Sequence, residues 1–210
     1  MIILGLTGSI GMGKSTAARL LRAMAVPVHE ADEVVHQLLG RGGEAVPFVA
    51  AAFPGVLQDG AINRARLGSI VFSDAHALHR LEGILHPLVR HHTAQWLQGL
   101  ARQRCKLAVL DIPLLYEGER DASCDGVIVV SAPAFVQRQR VLRRRGMTPA
   151  RLAAILDHQW PDAAKRMAAD WVVPTGAGRA ETRRVLQQVM REATTLTPRV
   201  WGPGWEGLAP

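Results

Sequence analysis

Residues 8–15 read Gly8-Ser9-Ile10-Gly11-Met12-Gly13-Lys14-Ser15, a complete GxxxxGK[ST] pattern. Its setting decides the fold. Ahead of it runs Ile2 to Leu6, a short apolar stretch suited to a strand covered on both faces. Behind it, STAARLLRAMA places Ala18, Leu21 and Ala25 at helical spacing, and Pro27 closes the segment. A strand, a glycine loop and a helix in that order make an anion site, because glycines let successive amides turn inward and the helix N-terminus adds its positive dipole end. Gly8 to Thr16 are therefore expected to hold a nucleotide polyphosphate, with Lys14 on the β and γ phosphates and the Ser15 hydroxyl on Mg²⁺.

Outward from the loop the pattern alternates. A second strand is predicted at Pro27 to His29 and a helix at Ala31 to Leu39, whose Val34, Val35, Leu38 and Leu39 share one face. Strands return at Leu107 to Ile112, Gly126 to Ser131 and Trp171 to Val173. This is the signature of an α/β fold with a parallel sheet flanked by helices. Between them, Glu44 to Phe53, Asn63 to Phe72 and Asp74 to Arg104 read as helices, with a turn at FPGVLQDG and a break expected at Pro87, just after His86. The predicted organisation is a nucleotide-binding core of residues 1–39 and 105–194, a helical substrate-binding insertion at 40–104 and an irregular tail at 195–210. Two helices, Pro133 to Arg145 and Thr148 to Gln159, joined at Gly146, form a helical lid over about 133–160, and Arg179 to Thr194 is the last helix.

With 210 residues, 48% of them hydrophobic, the chain can bury a core without disulfides or a structural metal. Cys105 and Cys124 form no metal-spaced or disulfide framework and suit a reducing cytoplasm, and no apolar run approaches the length of a membrane span. The net charge of +7 admits three polyanionic partners, namely nucleic acid, an acidic membrane surface or a polyphosphate. Because the chain has only three lysines against 22 arginines, the lysine at position 14 stands out. No segment specifies an oligomeric state.

A phosphate loop alone does not name a reaction. No NKxD segment or strand-following DxxG is present, which disfavours a guanine-nucleotide switch. Glu30 and Asp32 follow the second strand, at the sheet edge where ligands bind in parallel α/β folds. Asp32 is either a base for an acceptor hydroxyl or the N-cap of the next helix. Asp111 ends LAVLD and is either a Mg²⁺-positioning carboxylate or a strand-end turn residue. Glu117 is a further candidate, and His86 is either a substrate contact or a structural histidine. Of Arg138, Arg140, Arg143, Arg144 and Arg145, one or two suit a phosphate clamp and the others a solvated helix face. The open alternatives are a kinase of another small molecule or nucleoside monophosphate, and an ATP-binding nucleic-acid protein.

GLTGSIGMGKST, Glu30-Ala31-Asp32, LHPLV at 85–89 and DIPLLYE at 111–117 together resemble the dephospho-coenzyme A kinase family, within the P-loop kinase fold. Gln137, Arg140 and Arg144 match its lid pattern, and Gln159, Lys165 and Ala169-Asp170 fall at its later landmarks. The resemblance spans residues 1 to about 190. It implies ATP-dependent phosphorylation of the ribose 3′-hydroxyl of dephospho-coenzyme A, with Asp32, Lys14 and Arg140 catalytic and the ATP phosphates on residues 8–16 and Arg144. It further implies substrate contacts from Asp32, His86, Leu114 and Glu117, Mg²⁺ on Ser15 and Asp111, and small-molecule partners rather than nucleic acid or membrane. Two positions depart from the family pattern: Glu30 stands where Asp is common, and Pro174-Thr175 replaces a pair ending in Asn, leaving no carboxamide there for a nucleotide base.

Overall fold

All six residues of the first strand, β1 (Ile2–Thr7), are buried, and the sheet is built around them. In the computed structural model, which describes residues 1–71 and 73–202, the chain continues through α1 (Lys14–Ala23), β2 (Val28–Glu30), α2 (Ala31–Leu39), α3 (Val46–Ala52), β3 (Leu57–Gln58), β4 (Ala61–Ile62), α4 (Arg64–Val71) and α5 (Ala75–Arg102). It then forms β5 (Leu107–Asp111), β6 (Gly126–Ser131), α6 (Ala134–Leu142), α7 (Pro149–Asp157), α8 (Asp162–Ala168), β7 (Trp171–Pro174) and α9 (Arg179–Ala193).

The main sheet has the order β2-β5-β1-β6-β7. β1 pairs in parallel with β5, from Ile2 opposite Leu107 to Leu6 opposite Asp111, and with β6, from Leu4 opposite Gly126 to Thr7 opposite Val129. β6 pairs in parallel with β7. Near-continuous aliphatic strands are what two covered faces demand. On one face Leu4, Leu6, Val130 and Val173 pack with Ala17, Ala18 and Leu21 of α1 and with Leu186 and Val189 of α9; α8 packs against β6. Because the strands run in parallel, the carboxyl ends of β1, β5, β6 and β7 bring Gly8, Asp111, Ala132 and Thr175 to one edge of the sheet. At the opposite end, Asp125 joins the start of β1 to the tail: Oδ2 accepts the Ile3 N–H at 2.8 Å, and Oδ1 accepts the Arg199 and Val200 N–H groups at 2.6 and 3.0 Å.

The chain divides into two units, Met1–His29 with Gly99–Pro210, and Glu30–Gln98. The second unit has its own apolar core of Val34, Leu38, Val49, Phe53, Ile62, Leu67, Leu81 and Leu85. α2, grouped with the nucleotide core in the sequence reading, therefore clusters with the helical unit.

Three local expectations are corrected. FPGVLQDG is not merely a turn: β3 and β4 pair antiparallel around Asp59 (φ 50°) and Gly60 (φ 78°), a two-residue loop with both φ positive, as type I′ hairpins require. Pro87 does not break its helix, since α5 runs unbroken for 28 residues. Leu81, Leu85 and Val89, the turns on either side of Pro87, are buried in the unit's core, and that packing outweighs the lost hydrogen bond. Asp32 does not cap α2: the helix starts at Ala31, Glu30 holds the N-cap position, and Asp32 lies in the first turn, where its charge complements the helix dipole. A helix not expected from sequence, α8, follows Pro161. Phe72 at the end of a predicted helix, and tail residues 203–210, lie outside the described residues.

Candidate active site

Between β1 and α1 the loop adopts the conformation that its glycines permit. Gly11 and Gly13 have φ of 77° and 93°. A Cβ on Gly11 would lie 2.5 Å from Val141 Cγ2, and one on Gly13 would lie 2.9 Å from Thr175 Oγ1, so both the backbone angle and the close approach exclude a side chain.

Four side chains from three parts of the chain grip the loop backbone. Gln137 of α6 donates Nε2–H to the Ile10 carbonyl at 2.8 Å, and Arg140, one turn on, donates to the Gly11 carbonyl at 3.4 Å. Thr175, just after β7, donates its hydroxyl to the Met12 carbonyl at 2.6 Å. Gln159, between α7 and α8, accepts the Ile10 N–H at 3.0 Å. Three consecutive carbonyls are thus held from outside. Among the described residues, the amides of Gly11, Gly13, Lys14 and Ser15 donate to no protein group, leaving a row of donors for an anion. Arg140 is itself oriented by Thr175, through Oγ1 at 3.1 Å and the carbonyl at 2.7 Å. Thr175, noted from sequence only as a departure, is therefore a joint between β7, the loop and the arginine. No local signal marks such a role, because its partners lie 35 and 163 residues away.

Lys14 opens α1 and its Nζ is hydrogen-bonded to Oδ1 of Asp111 at the end of β5. The pairing of Leu6 with Asp111 explains why, since it sets the carboxylate beside the root of the loop. Asp111 is buried and Ser15 is exposed. Among the described residues no three His, Cys, Asp or Glu side chains gather into a metal cage. One carboxylate and one hydroxyl are instead a hard-oxygen donor set of the kind Mg²⁺ uses when substrate phosphates and water complete its shell.

The remaining expected residues fall as follows. Arg144 is exposed beyond the end of α6. Leu114 is exposed and Glu117 is not: Glu117 Oε1 lies 2.7 Å from Nζ of the fully buried Lys165 and accepts the Trp160 N–H at 2.8 Å. Expected as a substrate contact, Glu117 has its Oε1 engaged by these protein partners. Beside it Tyr116 stacks on Trp160, with ring centroids 5.4 Å apart. Burial, reinforced by Asp170, pushes the Tyr116 phenol up to about 12. In the other unit, Asp32 is exposed and His86 half-buried.

A parallel sheet whose central strand feeds a glycine loop, with a lysine and a strand-end carboxylate at its root, defines a phosphate-loop nucleotide-binding protein. The dephospho-CoA kinase family model matches residues 2–181. The dephospho-CoA kinase of Paramagnetospirillum magneticum is 60% identical over 166 residues, covering 79% of this chain and 78% of that protein. That of Rhodospirillum rubrum is 55% identical over 188 residues, covering 89% of each. A solved protein from Thermus thermophilus superposes with a TM-score of 0.78 at 34% identity, covering 91% of this chain and 97% of that one. The chain belongs to the dephospho-CoA kinase family.

Proposed function

We propose that the chain transfers the γ-phosphoryl group of ATP to the ribose 3′-hydroxyl of dephospho-coenzyme A, with the loop, Lys14, Arg140 and Arg144 on the phosphates and Asp32 on the acceptor. In this step the bond from Pγ to the β–γ bridging oxygen breaks, a bond from the 3′-oxygen to Pγ forms, and the hydroxyl proton passes to the Asp32 carboxylate. The observation that carries the reading is the set of unengaged amides of Gly11, Gly13, Lys14 and Ser15 beside the Lys14 side chain, in a chain of this family. Phosphoryl transfer asks mainly for positioning and charge stabilisation, which rigidly held amides and cations supply. Ser15 and Asp111 would hold Mg²⁺, which when bound offsets charge on the phosphate oxygens. Arg140, fixed by Thr175, is suited to a set geometry, while exposed Arg144 is suited to move with a lid over 133–160. Two free thiols, and the absence among the described residues of a helix long and apolar enough to cross a membrane, accord with action in the cytoplasm.

A coupled ADP-release assay with dephospho-coenzyme A, adenosine and AMP as rival acceptors tests the reaction; dephospho-coenzyme A should be strongly preferred, and preference for AMP would overturn the proposal. Asp32→Asn tests the base. It should lower kcat about 10²-fold with ATP affinity and melting temperature nearly unchanged, since Asp32 caps no helix.

A further inference from the structure

The pairing of Glu117 with Lys165 has no evident use as a stabilising contact. Lys165 is wholly buried, and Glu117 is its sole ionic partner among the described residues. Removing both charges from water opposes much of what their attraction returns, so such a pair is weak evidence of stability. The second oxygen, Glu117 Oε2, is buried with no hydrogen-bond partner.

What the pair does hold is a turn. Glu117 Oε1, fixed by Lys165, accepts the Trp160 N–H, and Tyr116 stacks on the Trp160 ring with 14° between the planes. The residue before Trp160 is Gln159, which accepts the Ile10 N–H of the phosphate loop. The residue after it is Pro161, which has no amide to donate. The Trp160 amide is thus the backbone point by which Glu117 fastens this turn, and Gln159 is one bond away from it. We infer that Glu117 and Lys165 are positioning residues for the phosphate loop, acting through the Trp160 amide and the Gln159 carboxamide to set the affinity for ATP. With Ile10 N–H given to Gln159, the loop turns its later amides, Gly11 and beyond, to the nucleotide. Without that bond Ile10 is held only through its carbonyl, by Gln137, and the row of donors loses one of its fixed points. This rests on the reading of the loop as the ATP-phosphate site.

The test measures, by calorimetry, the Kd of a non-hydrolysable ATP analogue with Mg²⁺ in full-length variants whose folding is checked by melting curves. Gln159→Leu should weaken binding about tenfold, the scale of one lost hydrogen bond. Removing Glu117 alone would strand a buried ammonium, so the pair is replaced together. Glu117→Leu with Lys165→Met leaves no buried charge but no acceptor for Trp160, and should also weaken binding about tenfold. Glu117→Gln with Lys165→Met restores a neutral acceptor and should return Kd to within about threefold of wild type. Adding Gln159→Leu to the Leu/Met variant should cost nothing further, because both act through one bond. A folded Leu/Met variant that binds like wild type, a Gln/Met variant that fails to recover, or a multiplicative loss in the triple variant would overturn the inference. A wild-type protein that takes up no analogue would overturn the phosphate-site reading and this inference with it.

Discussion

The two units solve their packing in opposite ways. Eleven buried polar or charged side chains are found among the described residues, and ten of them, including Thr7, Asp111, Asp125, Gln137, Lys165 and Thr175, lie in the unit that carries the phosphate loop. The helical unit has one, Thr93, whose hydroxyl turns back on the Val89 carbonyl of its own helix. Apolar packing specifies shape loosely and tolerates exchange of like for like, whereas a buried hydrogen bond is lost when its partner moves by an ångström. Buried polarity sits where a backbone must be fixed: Gln137 and Thr175 hold the loop whose amides have to be presented to phosphates, and Asp125 holds the sheet's other end. The helical unit needs a stable body with a serviceable surface, and an ordinary hydrophobic core provides it.

The comparison can be broken at several points. The largest effect should come from Lys14→Ala, which removes the lysine of the phosphate loop itself: turnover should fall about 10³-fold, with circular dichroism unchanged. Retained activity in a folded variant would separate the buried network from the chemistry. Next, Asp125→Ala orphans three backbone donors, Ile3, Arg199 and Val200, at the end of the sheet away from the loop. It should cost about 3 kcal/mol, roughly 6–12 °C in Tm, with kcat unaffected.

A smaller effect is tied to pH. Burial, helped by Asp125 and other carboxylates, pushes the Cys124 thiol up from 9.0 to about 12. The thiol is held protonated in the folded chain and ionises earlier in the unfolded one, so stability should be fully present below about pH 9 and decline as pH rises toward 12, by up to about 1.4 kcal/mol per unit. Urea melts from pH 8 to 10.5 should show this slope, and Cys124→Ala should flatten it. The smallest change is expected from Thr93→Val. It removes the helical unit's one buried hydroxyl but leaves the helix backbone bonded, and should shift stability by less than about 1 kcal/mol with kcat unchanged. A loss comparable to that of Asp125→Ala would erase the contrast between the units.

The same contrast governs what could be read from the chain. β1, β5 and β6 are legible because strands buried on both faces must be continuously aliphatic, and α2 because its apolar residues recur at helical spacing. The loop is legible because its glycines are demanded locally. The β3–β4 hairpin escapes notice, since two residues per strand offer no alternation, and α8 because seven residues between Pro161 and Asp170 barely complete two turns. The continuity of α5 through Pro87 depends on packing that local propensity does not contain. At the site, Arg140, Gln137 and Gln159 can be picked out by pattern, yet their partners cannot: the bonds that Thr175, Gln159 and Asp111 make to residues of the loop span 97 to 163 positions and leave no trace in spacing. Asp32 shows the converse, for spacing leaves base and cap equally open and one helix start removes the cap.

The central place of β1 has a consequence in time. Its neighbours, β5 and β6, begin 105 and 124 residues after it in the chain, at Leu107 and Gly126 against Ile2. On a ribosome adding roughly 5–20 residues per second, the first strand therefore emerges some 5–20 s before its first central partner exists. During that interval the helical unit, whose core residues all lie in one contiguous segment, is free to fold, while Ile2 to Leu6 remain a sticky, unpaired edge. A strand made early thus waits for partners made much later, and the nascent chain has its greatest need of chaperone cover around Ile2 to Leu6.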